Sequence, residues 1–298
     1  MATLTTAGLH LPADTADGMI RKTQDGSVVA QLSDSEPFRF GDTDFVVVND
    51  VPRAEFVGES QEKSLSNVGF GTVRVSPRKA QTTLRFSSEV MWADEDHQKG
   101  ILNELATAAA ESLPRALDHG VLHAINPLTG LALSGSPAKV VDSTNVVTAD
   151  GAADLEVEAA LAYHLDAANG FPSGIAMDPR FAFQLATLRD DRGNRRYPDL
   201  PLNPRQLGAF SGLISAVSDT VAAPEAADEE HQKVRAIIGD WSRGVRWGVA
   251  RNLPVEVIRY GDPDGSGDLQ RKNEIALRVE VAWVWYVDPT RFTVISAA

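Results

Sequence analysis

Between residues 79 and 125, a segment with the period of a β-strand runs almost directly into one long amphipathic helix. Apolar and polar side chains alternate along residues 82–91, a pattern typical of a strand with one covered face. After Trp92, apolar residues recur every four positions from Ile101 to Val121, which predicts a helix about 40 Å long with one narrow buried face. Such a helix is longer than a compact domain of this size needs. The strand and the helix together therefore predict a thin, extended layer.

Composition excludes several classes of protein. The chain has 298 residues, 43% of them hydrophobic, which can supply a real core. Lys and Arg number 28 against 41 Asp and Glu, and the formal charge of -13 argues against a dedicated nucleic-acid reader. The absence of cysteine excludes disulfides and thiolate metal sites. No long apolar run and no signal-peptide pattern is found, so the sequence predicts no membrane segment and a start in the cytosol.

The N-terminal part of the chain is predicted to be extended. Residues 1–40 carry few large apolar side chains, which predicts an arm that cannot bury itself and needs a neighbour. Residues 45–48 predict a short strand, residues 52–78 a polar excursion, and the apolar residues within 68–75 a returning strand. The excursion is then a long hairpin. A two-stranded hairpin is barely stable alone, so we expect another subunit to hold it.

The rest of the chain is predicted to mix helices and strands in a compact region. Pro114 is predicted to bend the long helix, or else to open a second helix with Ser112 as its cap. Asp154 is predicted to cap the next helix, and Asp178 with Pro179 to begin the one after it. Short strands and a closing hairpin follow. Without βαβ regularity, these elements predict the α+β class.

The order of these elements, and several short segments within them, match a known family. The segments are Met177–Arg180, Leu188–Gly193, Ile237–Trp241, Lys272–Asn273, Arg278, Glu280, Asp288–Pro289 and Phe292. On these residues the chain resembles the tailed-phage major capsid proteins of the Hong Kong 97-like fold. No segment is specific by itself, and the resemblance depends on their order and spacing over residues 40–295.

The resemblance implies a division of the chain into five parts. An N-terminal arm would cover residues 1–40, and an extended hairpin, the E-loop, would occupy residues 41–92 with its flanking strands. The spine helix of a peripheral domain would cover residues 93–140, and an axial domain residues 141–250. C-terminal strands returning to the peripheral domain would cover residues 251–298.

The resemblance also implies a structural function rather than catalysis. The chain would be the major capsid protein of a tailed double-stranded DNA phage, assembling into the pentamers and hexamers of an icosahedral head. It would be assembled in the host cytoplasm and reside in the virion. Its partners would be its own copies, the genome without sequence-specific binding, and separate scaffolding, portal and decoration proteins, with no cofactor, metal or membrane. Two alternatives stay open: an encapsulin-like bacterial nanocompartment shell, and a cytosolic α+β enzyme or binding protein.

One subgroup of that family seals its shell by an isopeptide bond between a hairpin lysine and an asparagine, near a glutamate acting as general base. The resemblance places Asn273 and Glu280 at the asparagine and glutamate positions, on one face of a strand only if a bulge corrects their spacing. Ser66 stands where that subgroup has its lysine, so all three positions are expected to be inert. The hairpin is expected to contact other subunits through Phe56, Glu62, Lys63 and Phe70.

Three further patterns have structural explanations. Residues 262–268 resemble the start of a calcium loop, but Asn273 stands where a bidentate glutamate should fall, which favours a solvated hairpin turn. His119 and His123 lie one helical turn apart without a third ligand, and are interpreted as ordinary helix-end residues. The tryptophans after residue 240 are interpreted as strand packing and subunit contact rather than as a ligand box.

Overall fold

The computed structural model describes residues 26–48, 54–59, 69–89, 111–167, 170–203, 207–252 and 256–298. Its strands are β1 (Thr43–Val48), β2 (Phe70–Val75), β3 (Arg78–Ser87), β4 (Val146–Ala149), β5 (Gly174–Met177), β6 (Ala209–Phe210), β7 (Leu213–Val217), β8 (Val234–Gly239), β9 (Val245–Asn252), β10 (Glu256–Ile258), β11 (Glu274–Val287) and β12 (Phe292–Ala297). Its helices are α1 (Val28–Leu32), α2 (described over residues 111–123), α3 (Ala153–Asp166), α4 (Pro179–Thr187), α5 (Glu229–Gln232), α6 (Trp241–Gly244) and α7 (Leu269–Lys272).

A hairpin and a four-stranded sheet form one part of the fold. β1 pairs antiparallel with β2, so the predicted hairpin strands are confirmed. β3 pairs with β11 along its whole length, and β9 and β10 share the opposite edge of β11. The predicted closing hairpin is therefore also confirmed, as β10 with β11.

The other part is a six-stranded sheet with the spatial order β4-β12-β8-β5-β7-β6. Parallel and antiparallel pairs alternate irregularly in it, which fits the predicted α+β class. The pairing of β9 and β12 does not follow the expected division into a domain at residues 141–250 and C-terminal strands at residues 251–298. β9, placed mostly within the expected domain 141–250, pairs with β11, whereas β12, expected among the strands 251–298 that return to the peripheral domain, joins the six-stranded sheet. The chain crosses between these two sheets after β3, after β8 and again after β11.

One of the two predicted N-terminal helix caps is confirmed, and the other is wrong. Asp178 caps α4 by accepting a hydrogen bond from the backbone N–H of Arg180 at 2.8 Å, as predicted. The prediction that Asp154 caps α3 is wrong, because the N-cap is Ala152. Asp154 instead lies inside the first turn, where its carboxylate pairs with Arg196 at 2.5 Å.

The described part of α2 is helical on both sides of Pro114, so the alternative of a second helix capped by Ser112 is wrong. The helix lies on the four-stranded sheet. A Cβ added to Gly120 would come within 3.1 Å of the Trp285 ring, which shows how closely the helix and β11 approach. Residues 93–110, the first part of the predicted spine helix, lie outside the described residues.

The core is built from β-strand side chains and tryptophans of the chain itself. Val279, Val281, Trp283 and Trp285 lie on one face of β11 and pack with Trp247. Trp241, also in this cluster, packs edge-on against Phe292 with ring centroids 5.1 Å apart. The late tryptophans thus serve strand packing, as predicted, but within the subunit they are too buried to offer the expected subunit contact.

Candidate functional site

The base of the hairpin is fixed to the body of the subunit by aromatic contacts. Phe45 is buried, with its ring centroid 5.3 Å from that of Tyr286 and 5.7 Å from that of Phe38. The guanidinium of Arg246 lies 5.2 Å from the Phe45 ring centroid, a cation–π distance. This cluster sets the direction in which the hairpin leaves the four-stranded sheet.

Beyond its base, the hairpin exposes large apolar side chains. Phe56 is fully exposed, and Phe70 and Val46 are 69% and 64% exposed. Large exposed apolar surface on a two-stranded ribbon is typical of a contact surface that another molecule covers. Of the four contact residues predicted on the hairpin, the structure describes Phe56 and Phe70, whereas Glu62 and Lys63 lie outside the described residues.

The prediction that residues 1–40 form an arm unable to bury itself is wrong for the residues from Ser27 onward. Val28 and Val29 are completely buried, because the carboxylate of Asp118 on α2 holds the start of α1. Asp118 accepts hydrogen bonds from the Ser27 hydroxyl, from the backbone N–H groups of Val28 and Val29 at 3.1 and 3.2 Å, and from the Thr220 hydroxyl at 2.7 Å. Burial raises the pKa of this carboxyl, although each of these hydrogen bonds opposes the rise.

The same N-terminal segment is held a second time beside β9. The backbone N–H of Glu36 donates to the Trp247 carbonyl at 2.8 Å, and the Glu36 carboxylate accepts two hydrogen bonds from Arg246. Gly248 permits this approach, since a Cβ there would lie 1.9 Å from the Glu36 carbonyl oxygen. The segment between Ser27 and Phe38 is therefore part of the folded subunit.

The crosslink-like positions are far apart within one subunit. Asn273 ends α7 in a left-handed conformation, and its side-chain oxygen accepts a hydrogen bond from the Ser88 hydroxyl at 2.6 Å. Glu280 forms an ion pair with Lys79 at 2.7 Å. Asn273 lies just before β11, and the six residue steps of uninterrupted strand from Glu274 to Glu280 span about 20 Å, so the two side chains are not neighbours. Ser66 lies outside the described residues.

The turn at residues 262–268 is a largely exposed hairpin turn between β10 and β11, as predicted, and it also wraps around an arginine. Arg85 of β3 forms ion pairs with Asp262 at 2.8 Å, with Asp264 and with Glu274 at 3.0 Å, and it donates to the Gly267 carbonyl at 2.8 Å. Its guanidinium occupies the position that a cation would take in a calcium loop. Hydrogen bonding to Arg85 holds the pKa of Asp264 below its usual range.

His119 and His123 are also more than helix-end residues. Both rings are buried, and His231 from α5 lies beside them, with its ring centroid 5.6 Å from that of His123. The sequence did not predict that His231 lies beside this pair, because His231 is distant in the chain and approaches the two rings only in the folded structure. Among the described residues no group of His, Asp or Glu side chains is arranged to hold a metal ion.

Two surface cavities of about 490 and 440 Å³ lie on either side of Arg78, whose guanidinium stacks 5.7 Å from the Trp285 ring centroid. The larger is lined by β2, the start of β3 and residues 134–138, and the smaller by Ile125, Leu128 and Trp283. Neither brings together a nucleophile with a general base. Within the described ranges, no helix is long and apolar enough to cross a membrane.

Comparison with known proteins places this architecture among viral shells. A model of the phage capsid family matches residues 7–282. A solved structure from Mycobacterium phage Ogopogo is 44% identical, with a TM-score of 0.79 over 91% of this chain and 92% of that one. Another, from Gordonia phage Cozz, is 32% identical, with a TM-score of 0.75 over 91% of this chain and 86% of that one. No curated protein matches the chain.

More distant structures share the fold alone. One is titled as the capsid of a native GTA particle and is 13% identical, with a TM-score of 0.63 over 92% of this chain and 90% of that one. The mixed helices and sheets of the chain therefore match the fold of phage capsid subunits, as the resemblance predicted.

Proposed function

The chain belongs to the phage capsid family and is a major capsid protein, and from this premise we propose how its parts serve the assembly of the shell. Copies of the chain form pentamers and hexamers, which close into an icosahedral head around double-stranded DNA. The six-stranded sheet surrounds the axis of each capsomer. The four-stranded sheet and α2 form the periphery, where capsomers meet.

The hairpin lies across the adjacent subunit. The single observation that carries this proposal is the full exposure of Phe56, together with the 69% exposure of Phe70, on a ribbon that the rest of the subunit leaves uncovered. Burying each ring between copies gains about 2 kcal/mol. Because the contact repeats in every subunit, small gains add up over the shell, while each contact stays weak enough to be corrected during assembly.

The N-terminal arm also reaches a neighbour, but it is shorter than the 40 residues that the sequence suggested. The clamp formed by Asp118 fixes Ser27 to the subunit, so only the residues before it are available to run under another copy. Glu62 and Lys63 contribute polar contacts at the rim of the hairpin interface.

The other partners follow from the chemistry of a shell. A net charge of -13 suits a shell that encloses DNA without binding it sequence-specifically. Separate scaffolding, portal and decoration proteins complete the particle, and assembly takes place in the host cytoplasm. The phage family match supports this function over an encapsulin-like compartment, and no observation favours the alternative of an enzyme or small binding protein.

The subunit works without catalysis, and its shell is not sealed by isopeptide bonds. Asn273 and Glu280 are engaged with Ser88 and Lys79, respectively, which supports structural roles for both. Ser66 supplies an alcohol rather than an amine, and an alcohol is a weak nucleophile unless a base activates it.

Substitution at the hairpin tests the proposed interface. Phe56→Asp should leave folded subunits that fail to form closed shells, because the introduced charge cannot be buried between copies. Phe56→Leu, which keeps an apolar side chain, is the matched control and should assemble. Sedimentation and electron microscopy distinguish capsomers from shells. Normal particles from the aspartate variant would refute the role of the hairpin.

A further inference from the structure

Three histidines meet where α2 contacts the loop that leads into β8. His119 and His123 lie one turn apart on α2, with ring centroids separated by 6.2 Å, and the His123 and His231 centroids are separated by 5.6 Å. Only 3% of His119 and 1% of His123 is exposed. We call the contact formed by these three rings, together with Lys139 and Val221, the histidine joint.

The hydrogen bonds of the joint fix the tautomers of two rings. Nε2 of His123 lies 3.0 Å from the Val221 carbonyl oxygen, which can only accept, so Nε2 carries the proton. Nε2 of His231 lies 3.1 Å from the ammonium of Lys139, which can only donate, so Nε2 is unprotonated and Nδ1 carries the proton. The His231 ring is therefore neutral in this arrangement, whereas the His123 contact fixes only the proton on Nε2. Neither Nδ1 atom has a hydrogen-bond partner among the described residues.

The surroundings of the joint disfavour a further proton. Burial, together with the nearby His119, His231 and Lys139, lowers the pKa of His123 to about 3, although the hydrogen bond to the Val221 carbonyl acts in the opposite direction. Burial lowers the pKa of His119 to about 4, with Arg115 acting in the same direction. The pKa of His231 is lowered by burial and then by Lys139.

Acidic groups face the joint only from its rim. Asp219 is paired with Arg115 at 2.7 Å, and Asp142 lies 3.7 Å from Lys139. Asp228 and Glu230 act on His231 alone, whose pKa they raise only in part. Of the other ionisable groups on the described part of α2, Asp118 points away toward α1 and Glu111 is exposed.

The turn at residues 126–132, which covers the joint, contains no ionisable side chain. It is packed tightly against the loop before α5. A Cβ added to Gly130 would lie 2.1 Å from the Ala226 carbonyl oxygen. Ile125, Ala223 and Ala227 form a small apolar cluster at the same place. The rings of His119 and His123 are therefore enclosed by close packing, and water reaches them only when this packing opens, whereas His231 is partly exposed.

The joint also connects the two sheets of the subunit. Its helical side belongs to α2, which lies on Trp285 of the four-stranded sheet. Its other side, residues 219–231, leads directly into β8 of the six-stranded sheet. The joint therefore lies between the helix that packs on the four-stranded sheet and the segment that enters the six-stranded sheet.

We propose that the histidine joint is an acid-responsive hinge between the two halves of the subunit. This rests on the proposed function, in which pentamers and hexamers require different angles between the axial and peripheral parts. Opening the joint hydrates the imidazoles, which then bind protons at an ordinary pKa of about 6.5. The closed joint binds those protons only at much lower pH, so acid favours the open form.

The size of the effect follows from proton linkage. Each histidine that takes up a proton on opening changes the opening equilibrium by up to about tenfold per pH unit between its open and closed pKa values. With three histidines in the joint, the upper limit is about a thousandfold per pH unit.

Hydrogen exchange measured on purified subunits and on assembled particles tests the hinge. Between pH 7 and pH 5, after correction for intrinsic exchange, amide protection in residues 111–123 and 219–231 should fall at least about tenfold. Protection in β5, at the centre of the six-stranded sheet, should not change. The double variant His123→Gln and His231→Gln, whose amides cannot be charged, should lose most of this pH dependence.

The matched control is His164→Gln. His164 is fully buried but faces Thr293 in the six-stranded sheet, with Nδ1 3.3 Å from its hydroxyl, outside the joint. This variant should keep the pH dependence of the wild type. An unchanged pH dependence in the double variant would overturn the proposal.

A second measurement needs no variant. Exchange of the imidazole C2 proton in the wild-type protein reports the pKa of each histidine, and His119 and His123 should titrate below pH 5. Titration of either near 6.5 would also overturn the hinge. If the joint titrates as expected but the protein forms no shells, the proposed function fails and the hinge stands.

Discussion

Replacing Asp118 by alanine should release the N-terminal segment from the body of the subunit. The change strands the backbone N–H groups of Val28 and Val29, which lie 3.1 and 3.2 Å from the carboxylate oxygens and are completely buried. A helix cannot satisfy the N–H groups of its own first turn. The Thr220 hydroxyl can still donate to Ser218, whereas the Ser27 hydroxyl keeps only the hydrogen bond that it accepts from the Ala30 N–H and loses the acceptor of its own proton.

Each stranded donor costs about 1–3 kcal/mol, and removal of a buried carboxylate from the folded state offsets part of that sum. The expected loss in the free energy of unfolding is about 3 kcal/mol. Asp118→Asn should also destabilise, since its amide nitrogen is a donor facing donors. Proteolysis between residues 26 and 38 should increase in both variants, because α1 is no longer held.

Urea unfolding of unassembled subunits measures the change. The matched control is Asp219→Ala, which removes a carboxylate paired with Arg115 across a more exposed surface and should cost at most about 1 kcal/mol. A loss below about 1 kcal/mol for Asp118→Ala, or no increase in proteolysis, would refute the reasoning that this carboxylate anchors the segment.

Three further predictions follow from the described contacts. Arg85→Met should leave Asp262, Asp264 and Glu274 unneutralised, so hydrogen exchange at residues 262–268 should rise at pH 7.5, and the difference from wild type should shrink in acid as the carboxylates protonate. Gly248→Ala should lower the melting temperature by displacing the Glu36 carbonyl, whereas Gly208→Ala, with nothing within 4 Å, should not. Boiled particles should run as monomers on a denaturing gel, and a ladder of covalent oligomers would contradict the inert crosslink positions.

The local elements of this fold could be predicted from the sequence. Alternation and turn residues sufficed for β1, β2 and the β10–β11 hairpin, and Asp178 with Pro179 marked the start of α4. These features depend on neighbours a few residues apart, where side-chain period and backbone preference act directly. The Asp154 cap failed for the opposite reason, because a partner 42 residues away, Arg196, holds that carboxylate.

Each feature that could not be predicted from the sequence depends on a contact between two residues that are far apart in the chain. Ser27 and Asp118 are 91 residues apart, and Arg85 and Asp264 are 179 apart. Periodicity reports which face of an element is buried, but not which side chain of another element lies opposite. His231 illustrates this limit, since α5 has no buried residue of its own and no pattern links it to α2.

The crossing of β12 into the six-stranded sheet was missed for a related reason. β12 follows β11 after a short turn, and a sequence with two successive strands favours pairing between them. The apolar residues Phe292, Val294 and Ile295 instead pack among α3, β8 and β4. The short turn after β11 therefore redirects the chain between sheets, and strand propensity contains no information about that choice.

Electron cryomicroscopy of particles assembled from the purified protein tests the central claim most directly. Closed icosahedral shells are expected, in which the hairpin of each copy crosses a neighbour and the rings of Phe56 and Phe70, exposed in the single chain, are buried between copies. Discrete small oligomers, or shells in which both rings still face solvent, would contradict it.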